Sequence, residues 1–297
     1  MKLKKIAIAF CALAYANVYA VETYNTELGI GNLNSSTDAG TDTTMTYIGA
    51  SYYFKPINID GTQPFMEMDV LQKASNIGIR YANMSVETSA LSKTMLNPLQ
   101  LSGTFYIDDF LFGLNNSTWN KSFTIKSNTA YNYEIKSTTS GFNLGYWILP
   151  STTISYVYSK ASAQYTRNST SLSAINDLNT TTNGIASHTI SKLDGNQSLV
   201  LDLGYSQIKT EQTKTENNIE YDAKVRYYPE SKYYIEGGFI VNTGDNESDK
   251  GKTYVFGVGY AFTPRMGVFL STEKFNGDVS SENSSGKSTT ITAGYRF

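Results

Sequence analysis

The sequence predicts an all-β fold: a transmembrane, antiparallel, up-and-down β-barrel of about fourteen strands, with short periplasmic turns and long extracellular loops. Three observations carry this. The last ten residues, Ser288 to Phe297, alternate with period two. Thr289, Ile291, Ala293, Tyr295 and Phe297 form one row, and Thr290, Thr292, Gly294 and Arg296 form the other. Composition agrees, since the chain is 40% hydrophobic with negative mean hydropathy yet holds 23 Tyr and 23 Gly, which suits alternating strands better than helical spans. Tight connections also alternate with long ones.

The beginning of the chain reads as an export signal. Lys2, Lys4 and Lys5 form a basic start, Ile6 to Ala16 an apolar run, and Val18-Tyr19-Ala20 a small-residue cleavage site, so residues 1-20 are a signal peptide cut after Ala20 and residues 21-297 the barrel. The apolar run is shorter than the roughly 20 residues a spanning helix needs. Cys11, the single cysteine, falls inside the signal, so no disulfide and no thiolate-held metal is expected in the mature chain. Removing the three lysines leaves 21 basic residues against 26 acidic and a formal charge of -5, which disfavours a nucleic-acid partner.

Strands follow in order: Thr23 to Leu33, Thr43 to Phe54, Pro64 to about Val86, and Leu99 to Ile107. Phe142 to Ile148 and Ile154 to Tyr158 continue the pattern. It is cleanest at Leu199 to Tyr205, Ile219 to Tyr227, Tyr233 to Val241 and Tyr254 to Phe262. Pro64 to Val86 is read as one strand with a bulge near Lys73 to Ser75, because the apolar row shifts from Met66, Met68 and Val70 to Ile77, Ile79 and Tyr81. Splitting it raises the count towards sixteen.

Tight turns are expected at Lys55 to Gln63, Asp108-Asp109, Leu149 to Ser151, Asp194 to Gln197, Pro229 to Ser231 and Thr263 to Arg265. Long loops rich in Ser, Thr and Asn are expected at Asn34 to Asp42, Glu87 to Asn97, Asn168 to Asn183, Asn242 to Lys252 and Asn276 to Lys287. That asymmetry puts both termini on the periplasmic side. Aromatic residues crowd beside the tight turns: Tyr52-Tyr53-Phe54, Phe105-Tyr106, Tyr146-Trp147, Tyr227-Tyr228, Tyr233-Tyr234, and Tyr260 with Phe262. They read as a membrane girdle, with Tyr52, Phe54, Phe105, Tyr146, Tyr227, Tyr233, Tyr260, Phe262, Tyr295 and Phe297 as its candidates.

The final strand resembles that of bacterial outer-membrane proteins, which ends in Phe. The resemblance implies a Gram-negative outer membrane, with its lipid and lipopolysaccharide as surroundings, and recognition of Phe297 by the barrel-assembly machinery. The stretch Gly61-Thr62-Gln63-Pro64-Phe65-Met66-Glu67-Met68-Asp69, followed by Leu71-Gln72-Lys73-Ala74-Ser75, resembles the outer-membrane porin family of Acinetobacter and related gammaproteobacteria. Membership of that family implies a diffusion channel.

Parity directs Glu67, Asp69, Arg80, Glu220, Asp222, Lys224, Arg226, Glu236 and Arg296 into the lumen. Such rows either set the field in a channel or brace neighbouring strands as a salt-bridge ladder. Passive diffusion of small polar solutes and ions is the expected function; the alternative is a closed barrel whose external loops bind a ligand, a host surface or phage. An enzyme is not expected, because His188 is the sole histidine and reads as a bystander in the wall, and Asp108-Asp109 reads as a turn. Asp245, Glu247 and Asp249 read as a solvated acidic loop, because Lys250 stands where a calcium loop needs Gly, and neither a metal nor another cofactor is expected.

Overall fold

A computed structural model describes residues 23–38, 40–59, 61, 63–88, 94–125, 128–168, 173–211, 215–244, 250–277 and 285–297. The expected signal peptide, its cleavage site and the acidic triplet at 245, 247 and 249 lie outside these residues.

The strands are β1 (Thr23–Thr37), β2 (Asp42–Asn58), β3 (Asn76–Glu87), β4 (Thr94–Leu96), β5 (Leu99–Ile107), β6 (Phe110–Ile125), β7 (Asn128–Leu149) and β8 (Thr152–Asn168). They continue with β9 (Ser173–Lys192), β10 (Ser198–Glu211), β11 (Thr215–Glu230), β12 (Tyr233–Gly244), β13 (Gly251–Thr263), β14 (Met266–Gly277) and β15 (Ser285–Arg296). Apart from β4 and β5, each strand pairs antiparallel with its neighbours in sequence, and β1 pairs with β15, so the sheet closes and leaves no edge to be satisfied in lipid. β4 and β5 share one place in the wall: both pair with β3, and the break between them falls at Asn97-Pro98, where proline cannot donate to the ladder. The wall therefore has 14 strands.

Period-two alternation gives the wall opposite faces. Outside lies a belt of exposed apolar residues, among them Ile48, Ile79, Leu101, Leu114, Leu144, Val258, Leu270 and Ile291. Phe262 remains 57% exposed, a state that water would penalise and a bilayer does not. This belt is what makes the barrel a membrane-spanning one.

Tight turns gather at one end. Asp108 takes a left-handed conformation (φ 54°) in its two-residue turn, and Trp147 N–H donates to the Asp109 carbonyl. Both ends of the described chain lie here, since Asn25 N–H donates to the Phe297 carbonyl and Phe297 N–H to the Thr26 carbonyl. At the other end the strands run farther than their apolar content suggests. β7 has 22 residues and β9 has 20, against about 9–11 needed to cross lipid. The expected loop Asn168 to Asn183 is thus largely strand, with β9 beginning at Ser173. Ser, Thr and Asn pair through their backbones as well as any residue once no lipid face has to be apolar.

One element departs from the expected path. Residues 64 to 75 are not part of a strand, and the connection expected to be tight at Lys55 to Gln63 is instead the longest at the turn end: β2 ends at Asn58 and β3 begins at Asn76. Within it, Met68–Leu71 form a single helical turn, α1. Phe65 and Met68, three residues apart, and Ala74 are buried, an odd spacing that does not suit one face of a strand. The segment from Gln63 to Ser75 folds into the barrel.

Candidate functional site

The register of the wall decides what faces the lumen. On β11 the inward row is Glu220, Asp222, Lys224, Arg226 and Tyr228; it meets Asp202 and Val200 on β10, then His188 and Ile190 on β9, and Glu236 and Tyr234 on β12. Across the barrel the inward row runs through Arg296, Glu27, Gly29, Tyr47, Gly49, Ser51, Gly78, Arg80, Gln100 and Ser102.

The inward segment reaches from one side to the other. Against β1, β2 and β13, Phe65, Met68 and Ala74 pack with Tyr24, Tyr53, Ile57 and Ala261, and Arg296 donates to the Phe65 carbonyl at 2.9 Å. Against β9 to β12, Val70 and Leu71 pack on Ile190, Val200, Tyr228 and Tyr234, while Phe65 N–H donates to the Ser231 carbonyl. Glu67 holds the centre of this second contact. Its carboxylate, 3% exposed, accepts from the Arg226 guanidinium and from the Tyr228 hydroxyl at 2.9 Å, and lies 3.5 Å from His188 Nε2.

Arg226 is the hub of that network. Besides Glu67 it contacts Asp202 at 2.6 Å and Glu236 at 2.9 Å, so three carboxylates share one planar fork. His188 Nδ1 lies 2.5 Å from Asp202, which ties the imidazole between two acids. A second pair, Arg296 with Glu27 at 3.0 Å, sits over the Tyr24 ring. At the rim Lys73 reaches Asp109 at 2.6 Å and lies over Trp147. Between Phe65, Tyr228, Tyr234 and Phe269 there remains an apolar cavity of about 90 Å³.

The opposite wall is barely filled. Gly29, Gly49 and Gly78 form the floor of a cavity of about 180 Å³, rimmed by Glu27, Tyr47, Ser51, Arg80, Gln100, Ser102 and Thr292.

The sequence-derived lumen residues all face inward, but by two routes. Arg80, Glu220, Asp222, Lys224, Arg226, Glu236 and Arg296 do so from strands. Glu67 and Asp69 do so from the inward segment, not from a strand as expected. Their alternation with Met66 and Met68 mimics strand parity over too few residues to distinguish the two. Burial and two acidic neighbours, Glu27 and Glu67, push the Asp69 carboxyl up to about 6.

The girdle also needs correction. Tyr52, Phe54, Tyr146, Tyr260 and Phe262 are exposed on the outer face; Phe105, Tyr227 and Tyr233 share that face by register, and Phe54 stacks on Phe105 at 6.2 Å. Tyr295 is only 3% exposed, flanked in register by Leu28 and Met266 and packed edge-on against Phe297. In each aromatic doublet the second partner turns inward: Tyr53, Tyr106, Trp147, Tyr228 and Tyr234 face the lumen, where several pack on the inward segment. Period two requires the split. His188 is no bystander, and the only signal for it was its parity with Asp202 across one register step. Glu27 was missed because it stands alone on Thr23 to Leu33, a strand whose alternation is less clean than that of the later strands.

No family model matches the sequence. Nor does any curated protein. Among solved structures, the Acinetobacter baumannii outer membrane protein Omp33 is similar over 93% of this chain and 99% of its own, at 14% identity and a TM-score of 0.52. The Ralstonia pickettii toluene transporter TbuX aligns over 94% and 90% at 11% identity, TM-score 0.55. CdiB from Acinetobacter baumannii aligns over 91% of this chain and 60% of its own at 8% identity, TM-score 0.52. These likenesses concern the fold: this chain is a closed β-barrel of the kind found in outer-membrane proteins.

Proposed function

We propose that this protein is an outer-membrane channel through which small polar solutes and ions diffuse passively, narrowed at its turn end by the segment Gln63 to Ser75. The observation that carries the reading is the hollow left beside the inward segment: the segment packs on β9 to β12 and, at the turn end, on β1, β2 and β13, whereas the polar stretch of β1 to β5 floored by Gly29, Gly49 and Gly78 keeps a cavity. Solutes would pass along that side. On this reading the turn end faces the periplasm, the apolar belt meets outer-membrane lipid and lipopolysaccharide, the signal is cut after Ala20, and Phe297 is the end handed to the assembly machinery. Glu220 and Asp222, inward on β11, contribute negative field to the lumen.

Single-channel current from the folded protein in a planar bilayer under a salt gradient tests this. Discrete steps with a reproducible reversal potential are expected, and the double variant Glu220→Gln, Asp222→Asn should reduce cation preference. Reversal potentials unchanged by that variant would remove the two acids from selectivity. One observation favours the second reading, a closed barrel that binds through its external loops: the inward segment is bonded to both walls, by Arg296 on one side and Arg226 on the other. Silence from folded protein would select it.

A further inference from the structure

The cations of the lumen are not equivalent. Arg226 is shared by three carboxylates, Lys224 approaches Glu236 at 3.9 Å, and Arg296 is held by Glu27. Arg80 has no carboxylate within ion-pair distance among the described residues. Its guanidinium instead lies 5.0 Å from the centre of the Tyr47 ring, and the side chain is exposed to the lumen.

Its surroundings are built to leave it accessible. Arg80 extends across Gly49, where a β-carbon would sit 3.3 Å from the Ile79 carbonyl oxygen and in ordinary contact, 3.7 Å, with the Arg80 Cβ and Cγ. A β-carbon on Gly78 would come within 2.9 Å of the Ser102 hydroxyl and 3.2 Å of the Ser51 hydroxyl, so glycine there keeps both hydroxyls free to point into the cavity. Gln100 is the register partner of Arg80 on β5 and lines the same space. An open guanidinium fork stacked on an aromatic ring, with hydroxyl and amide groups beside it, is a recognition geometry for a planar carboxylate. The one acid on the cavity rim, Glu27, is already engaged by Arg296.

We infer that the cavity formed by Tyr47, Ser51, Arg80, Gln100 and Ser102 is a binding site for the carboxylate of a small organic acid. This deepens the channel reading by naming the solute chemistry that the hollow side of the lumen selects. Such a site does not require the barrel to conduct.

The test is equilibrium binding to the folded protein in detergent micelles at low ionic strength, by calorimetric titration with glutarate and with its uncharged diamide. Glutarate should bind at least tenfold more tightly than the diamide. Arg80→Gln should abolish that preference, and Lys209→Gln, a change at an outward-facing residue, should retain it. Equal affinity of the wild type for the two compounds would overturn the inference without recourse to any variant, as would an Arg80→Gln protein that still prefers glutarate. Preference for glutarate from a protein that is silent in bilayers would support the site while removing the channel reading. Conducting protein without that preference would do the reverse.

Discussion

The two sides of the lumen use the same residue types for opposite ends. Along β9 to β12, Arg226, His188, Asp202 and Glu236 are consumed by one another and by Glu67, and tyrosines pack on the inward segment. Along β1 to β5 the one arginine has no acid partner among the described residues, tyrosine lies beneath it, and glycine replaces bulk. Charge in a barrel interior therefore says little about permeation until its partners are known. Paired charge fastens; unpaired charge remains available to solute.

Breaking the fastened side should have the largest effect. Arg226→Gln leaves Glu67, Asp202 and Glu236 enclosed without their common cation, and a loss of about 3–5 kcal/mol is expected by urea unfolding in detergent. Conductance should rise at the same time, because the inward segment loses its central tie. A variant outside both sides supplies a scale: Val258→Arg puts a charge on the lipid face near mid-span and should cost roughly 2–4 kcal/mol, with pore properties unchanged. Wild-type stability in that variant would contradict the assignment of faces.

Asp69 gives a smaller, pH-dependent effect. Its carboxyl titrates near 6 in the folded barrel, above its unfolded value, so folding favours the protonated form. That favourable contribution is complete below the unfolded pKa of about 3.9 and is lost as pH rises towards 6. Asp69→Asn should then match the wild type near pH 4 and exceed it by about 1–2 kcal/mol at pH 7, the figure being reduced for water in the lumen. A difference independent of pH would show that the carboxyl is not desolvated by the segment around it. The least effect belongs to Lys73→Ala at the rim, where both partners are partly exposed: a change of no more than about 1 kcal/mol is expected.

Most of the wall was legible in the sequence, since a membrane barrel writes its faces into alternate residues. Glu220 to Arg226, Glu236 and Arg296 point inward as parity demands. What escaped was the segment after Asn58. Over Phe65 to Asp69 a helical turn and a strand place apolar residues almost alike, and the break showed only as the shifted apolar row before Ile77. Only the structure separates the two, through the burial of Phe65, Met68 and Ala74. The role of Arg226 was not legible, because its partners stand on four different parts of the chain. Their meeting depends on the inward path of Glu67.

That path also orders the assembly of the molecule. Glu67 and Arg226 are 159 residues apart, and the pocket that receives the glutamate needs β9 to β12 already side by side. A chain synthesised from its amino terminus can offer Phe65, Met68 and Ala74 the early β1 and β2, but it holds Glu67 without its partners until much later, a contact of long range that cannot form early. The strands that complete the pocket stand late in the chain, so the Glu67 contact and the pairing of β15 with β1 both wait on the carboxyl-terminal half.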